Sequence, residues 1–375
     1  MPIRRRRRCY RAHPRTARVA SGRRHPLITP LLPGGGGTGG GGTGTGGGGD
    51  GSVAGGGGGG GGFGGGPVNE PEVHRQLARI LGTDFASRGD VISDAVSCGL
   101  GMQQALGSGV NAAAIAPRWC AWATPRQLNY TSDRTGLTFT GTLRDITFGF
   151  DYRVLPNLVV GLAFTPEDTK VEIQGVDASF RQTGFGGGPY LGWQIRPTTV
   201  FDLWAGYARL DRSFDILGLA AKAPVDRTFV SMNLTETITT PWMRILPRLT
   251  YFHARDQVEA LTIYNIGFTL LGTNYDYSFT EGSIELNRDV WFSNGLLLQP
   301  FLRGTARYDM QRVADTISTI NGDDIELERW HGQLRAGLRA QFGPTVQLSL
   351  SGGYLSFFTP GVQAWEARAL LTARF

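Results

Sequence analysis

Few residues in this chain are arranged for chemistry. Its five histidines, His13, His25, His74, His253 and His331, stand at no spacing that would gather ligands on one metal. A nucleophilic serine needs Gly-x-Ser-x-Gly on a tight turn, and Ser351-Gly352-Gly353 lacks that flanking order. Asp323, Asp324, Glu326 and Glu328 lie in or beside a loop, where carboxylates either hold calcium weakly or, more simply, stand solvated. Cys9, Cys98 and Cys120 are an odd number at unrelated spacings and specify neither a disulfide framework nor a zinc site. The residues therefore predict no enzyme, no cofactor and no metal.

What remains is charge on a period of two. Arg303, Arg307, Arg329, Arg335, Arg339, Arg368 and Arg374, together with His331, fall on the polar parity of extended segments in the C-terminal third. Asp145, Asp151 and Asp202 fall on the same parity of earlier segments. Alternate side chains of a strand point to opposite faces, so each segment carries one charged and one apolar face. Charges inside a membrane protein line water or pair with one another. We expect an arginine bank facing an acidic bank across one lumen, laddering with those carboxylates or holding a helix over 89–103. Asp94 on that helix, with Asp145 or Asp202, could cleave a passing chain, but no Asn-Asn or similar junction lies between Ala112 and Arg118.

The elements that would carry these charges repeat one grammar. Phe375, Ala373, Leu371, Ala369, Ala367 and Trp365 form an apolar set, against Arg374, Thr372, Leu370, Arg368 and Glu366. Trp330, Gly332, Leu334, Ala336, Leu338, Ala340 and Phe342 form another, against Arg329, His331, Gln333, Arg335 and Arg339. Phe301 interrupts the polar parity of 298–308. A strand that spans a bilayer needs about 9–11 tilted residues, small or aliphatic ones between aromatics at the two interfaces. No run of about 18 apolar residues exists, which excludes a transmembrane helix.

Twelve strands are predicted near 118–130, 142–154, 157–166, 178–195, 199–212, 227–239, 243–254, 274–287, 296–309, 326–342, 345–357 and 363–375. Leu155-Pro156-Asn157, Arg196-Pro197-Thr198 and Gly343-Pro344 read as tight turns. Thr131–Gly141, Thr165–Ala178, Arg212–Asp226, Asp256–Thr273 and Gln311–Asp324 read as long loops. Short turns at one end and long loops at the other give an all-β, antiparallel, up-and-down transmembrane barrel of twelve strands over 116–375. Closure leaves no exposed edge.

Ahead of the barrel the composition changes. The net charge of +6 arises in the first 24 residues, which hold ten arginines and no acid; the rest carries 27 basic against 31 acidic residues, a net of −4. Residues 1–33 read as a disordered basic tail, with no apolar stretch of the kind a secretory signal needs and no aromatic interleaving to suggest specific nucleic-acid binding. Residues 34–66 are roughly three-quarters glycine and read as a flexible linker, since they have almost no side chains to bury. Residues 67–115 read as a short helical segment, either packed as a leader or threaded through the lumen. Val73, Leu77, Ile80 and Leu81 mark a first helix; Asp90 is placed as the N-cap of a second, with Val91, Ile92, Ala95 and Val96 on one side.

Several motifs from about Ala114 onward resemble a known family. They are Arg118-Trp119-Cys120-Ala121-Trp122, the run Phe148-Gly149-Phe150-Asp151-Tyr152-Arg153-Val154-Leu155-Pro156-Asn157-Leu158-Val159-Val160-Gly161, then Gly188-Pro189-Tyr190-Leu191-Gly192-Trp193, and the terminal Leu371-Thr372-Ala373-Arg374-Phe375. In order and spacing they are similar to the C-terminal translocator barrel of type V autotransporters. The resemblance implies a bacterial outer-membrane barrel of twelve strands with a helix in its pore, taking an N-terminal passenger across in cis. It also implies outer-membrane lipid and the barrel-assembly machinery as partners, the latter reading Phe375, with Ala373 and Leu371, as its signal. Two other readings stay open: a porin-like solute channel, and a soluble β-rich protein whose basic tail binds nucleic acid.

Overall fold

The computed structural model describes residues 90–100 and 118–375, except 135, 176–177, 217, 264–267, 271, 294, 313–315, 319–323 and 344. The predicted helix on Val73, Leu77, Ile80 and Leu81, and the tail and linker ahead of it, lie outside the described residues.

Among the described residues twelve long strands form one ring. They are β1 (Trp119–Ser132), β2 (Thr138–Leu155), β3 (Leu158–Gln174), β4 (Ala178–Arg196), β5 (Thr199–Ile216), β6 (Leu219–Glu236), β7 (Arg244–Val258), β8 (Thr273–Asn287), β9 (Leu297–Gln311), β10 (Trp330–Phe342), β11 (Val346–Phe357) and β12 (Val362–Arg374). Each pairs antiparallel with its neighbours in sequence. The ring closes where β1 pairs with β12, from Cys120 opposite Arg374 to Ser132 opposite Val362. Two further bonds tie the seam: the Trp119 amide donates to the Phe375 carbonyl and the Phe375 amide to that of Trp119, both at 3.1 Å. The end bearing these residues is the proximal end, and the opposite one the distal end.

The strands differ in length for a physical reason. β10 to β12 have 12 or 13 residues, close to what a bilayer crossing needs. β2 to β6 have 17 to 19 and continue past it. Along β3 the outward residues run Val160, Leu162, Phe164 and then Asp168, Lys170, Glu172, while the inward ones run Thr165, Glu167, Thr169 and then Val171, Ile173. β2 and β5 reverse in the same way, with Arg144, Arg209 and Asp211 outward where Leu143, Phe139, Leu210 and Phe214 turn in. The polarity of the wall inverts partway up: lipid-facing below, water-facing above.

That inversion corrects the predicted loops. Thr165–Ala178 and Arg212–Asp226 are mostly strand, joined at 175–177 and 217–218. An apolar outward face marks a strand only within lipid, so the predicted strands over 157–166, 199–212 and 227–239 were cut where the face changes sign. The tight turns at 156–157 and 197–198 lie between strands as expected, and Gly343 follows the end of β10, with Pro344 outside the described residues.

Two apolar clusters occupy the interior. The distal one gathers Leu128, Tyr130, Phe139, Phe180, Leu210, Phe214, Phe252 and Phe279 from most of the ring. Its rings pack Phe252 on Phe279 at 5.2 Å and Phe180 on Phe214 at 5.1 Å. The proximal cluster joins a helix over 90–100, α1, to Trp122, Val159, Tyr190, Trp204 and Leu370 of the wall. Among the described residues no helix is long and apolar enough to cross a membrane.

Candidate functional site

The functional element is α1 together with the inward charges that receive it. Val91, Ile92, Ala95 and Val96 recur at helical spacing and are buried against the wall, leaving Asp90 and Asp94 one turn apart on another face. Gly192 of β4 lets this face come close, because any side chain there would overlap Val96. Residue 90 is already helical, and the Asp90 carboxylate is committed to arginines of the wall rather than to capping.

Four strands supply those arginines. Arg303 of β9 donates to Asp90 at 3.0 Å, to Asp94 at 3.2 Å and to Glu285 of β8 at 2.7 Å. Arg248 of β7 donates to Asp90 at 3.2 Å and Asp94 at 3.1 Å. Arg335 of β10 reaches Asp90 at 2.8 Å and lies 2.9 Å from Glu366 of β12. Arg368 of β12 reaches Asp94 at 3.2 Å. Removing one partner of such a buried pair typically costs about 3–5 kcal/mol, because the other charge is left in a poor solvent. The arrangement fixes where α1 sits and how it is rotated.

The other inward charges cluster around this centre. Arg339 donates to Glu285 at 2.6 and 2.9 Å and stacks 4.1 Å over Phe301. Phe301, the break in the polar parity, is thus an inward platform for a cation. Arg307 lies 3.0 Å from Asp309, which also meets His331 Nε2 at 2.9 Å. Asp145 pairs with Arg126 of the adjacent strand, Asp202 accepts from Asn233 at 2.6 Å, and Asp151 accepts from the Tyr190 hydroxyl at 2.7 Å. Arg374 is buried near the seam, and Arg329 is exposed just ahead of β10. The structure thus brings Arg303, Arg335 and Arg368 onto the helix, whereas Asp145 and Asp151 bond to nearby strands of the wall and Asp202 meets both Asn233 of the wall and Ser93 of α1.

Arg126, Arg248 and Glu285 were missed, although all lie on the inward parity of predicted strands; Glu366 was placed on that parity but not among the site residues. Extending the parity count to every strand would have found them. The bond between Cys98 of α1 and Cys120 of β1 was also missed, and here the sequence carries no signal: 22 residues separate the two sulfurs and no framework surrounds them.

Chemically the lumen is a closed, charge-matched interior. A cavity of about 90 Å³ lies beside α1 at the proximal end, lined by Ser93, Asp94, Ser97, Thr237, Arg244 and Gln299 among others. It accommodates a few waters. No group of three or more His, Cys, Asp or Glu among the described residues could hold a metal ion.

The model of the Autotransporter beta-domain family matches residues 121–353, more than half of the chain. Solved structures share the fold. The translocator domain of the autotransporter NalP from Neisseria meningitidis aligns with a TM-score of 0.55 at 14% identity, over 78% of this chain and 98% of that one. The beta domain of the Bordetella autotransporter BrkA gives 0.58 at 15%, over 69% and 100%. The transport unit of AIDA-I from Escherichia coli gives 0.50 at 14%, over 75% and 98%. No curated protein matches the sequence. A ring of twelve strands closed from first to last, matched by the family's own model over most of its length, places the protein in the bacterial outer membrane as a translocator barrel: the chain belongs to the Autotransporter beta-domain family.

Proposed function

We propose that this barrel carries the segment ahead of residue 90 across the outer membrane and then retains it through α1. One observation supports the reading above others: α1 lies inside the ring, with Asp90 and Asp94 gripped by arginines of four strands. In this reading 1–33 and 34–66 are the cis passenger and its linker, 67–115 is the connecting helical segment, and 116–375 is the barrel. A glycine-rich stretch suits passage, since it has little side-chain volume to squeeze through. The activity is transport rather than catalysis, and the arginines of the tail serve as cargo, not as a nucleic-acid arm.

Two partners complete the proposal. Outward Phe148, Leu162, Leu338 and Leu350 are exposed and would meet lipid. Leu371 of the last strand and Phe375 just beyond it are exposed with Ala373 between them, in reach of an assembly machinery that reads the terminus. A porin would need an open lumen, and a soluble β protein would need those outward residues covered.

An epitope placed ahead of residue 67, in a chain expressed behind a borrowed signal peptide, tests the reading. Protease added to intact cells should remove the epitope while the barrel keeps its heat-dependent shift in electrophoretic migration. An epitope protected inside cells that hold a folded barrel would overturn the passenger role.

A further inference from the structure

The arginine clamp holds one end of α1, and something different holds the other. Cys98 is bonded to Cys120, the second residue of β1, and both residues are 1% exposed. Next to Cys98, Gly99 lies so close to Asp151 that any side chain would overlap it, and its carbonyl accepts from Arg153 Nε at 3.0 Å. Trp122, Val159 and Tyr190 of the surrounding wall belong to the same apolar cluster as the two cysteines. The sulfurs can therefore occupy these positions only with the helix seated.

We propose that Cys98–Cys120 is an oxidative modification site, a covalent latch that makes the lumen helix a permanent part of the wall. The reaction is dithiol oxidation. One thiolate attacks the disulfide of an envelope protein oxidant, the second cysteine displaces that oxidant from the mixed disulfide, and two electrons and two protons end on its cysteine pair. Such an oxidant needs access to a sulfur, and the closed ring denies it. The bond therefore forms before β1 and β12 close the seam, while the two cysteines stand only 22 residues apart in an open chain. Afterwards the wall that excluded the oxidant also excludes reductants. The ionic clamp alone is reversible, since salt and water can replace each arginine in turn; the latch removes that route. This inference needs only the plugged barrel and not the identity of any passenger.

The test uses the full chain carrying Cys9→Ser, so that only this pair can react. Folded barrel should take up no maleimide reagent before or after treatment with a phosphine reductant, and should take up two after heating in the reductant. In planar bilayers it should stay closed, whereas Cys98→Ser should open about thirtyfold more often, the low end of what closing such a loop typically contributes. If Cys98→Ser fails to fold, Cys120→Ser or the chain refolded in reductant gives the same comparison. Two labelled thiols in the oxidised folded barrel, or equal opening with and without the bond, would overturn the latch. Loss of the heat-dependent shift in the oxidised protein would instead overturn the barrel architecture itself.

Discussion

Arg303 of β9 and Asp90 of α1, 213 residues apart in sequence, meet at 3.0 Å in the middle of the lumen, each only a few per cent exposed. The same guanidinium also reaches Asp94 and Glu285, so one side chain joins the helix to the wall and the wall to itself. Helix and ring are complementary in charge, two carboxylates against four guanidinium groups whose surplus is met by Glu285 and Glu366.

Replacing Asp90 and Asp94 together by asparagine should leave Arg248, Arg303, Arg335 and Arg368 facing neutral amides. The barrel should still close, because strand pairing is untouched, but α1 should lose its ionic hold. Made together with Cys98→Ser, so that the disulfide no longer secures the helix, the double change should raise conductance in planar bilayers above that of Cys98→Ser alone, and an unchanged trace would show that the pairs do not hold the helix.

Arg335→Leu with Arg339→Leu strands Asp90, Glu366 and Glu285 without two of their cations. The expected loss is about 3 kcal/mol or more. It should appear as a lower temperature for the electrophoretic shift.

The polarity inversion in β3 gives a paired test. Leu162→Arg places a charge in the apolar outward belt and should cost about 2–4 kcal/mol. Lys170→Leu, four outward positions further up the same strand, should change stability by no more than about 0.5 kcal/mol. Urea titration of the two variants in lipid vesicles compares them directly; equal losses would place both sites in one solvent.

Phe252→Ala should unseat the stacked rings of the distal cluster, with a loss of about 3–5 kcal/mol. The variant should also become accessible to water from the distal side, read as faster proton exchange at the amides of Leu210 and Val225.

How much of this was legible follows from what each pattern responds to. Leu334, Ala336, Leu338 and Ala340 announce a lipid-facing strand because lipid admits only apolar side chains along a whole face. Lys170 and Glu172 sit in an equally regular strand and were read as loop, because above the bilayer the same alternation carries the opposite sign. Arg303 and Arg335 were visible as inward charges. Their partner was left as either the carboxylates of earlier strands or the helix over 89–103, since a period of two states which face a residue takes and cannot choose between what stands across a lumen. Asp90 and Asp94 carried a helical period that names a face but no neighbour. Cys98 and Cys120 met only through the tertiary fold.

The seam between Trp119 and Phe375 also bears on how the protein is made. The first strand cannot find its partner until the last has emerged, so a growing chain holds both open edges for the whole of its synthesis. Contacts between such distant parts form slowly, and unpaired edges invite pairing with other chains. The same ring that ends with no edge at all must pass through its most adhesive state just before completion. Until β12 arrives, β1 is therefore the edge of this chain most open to a wrong partner.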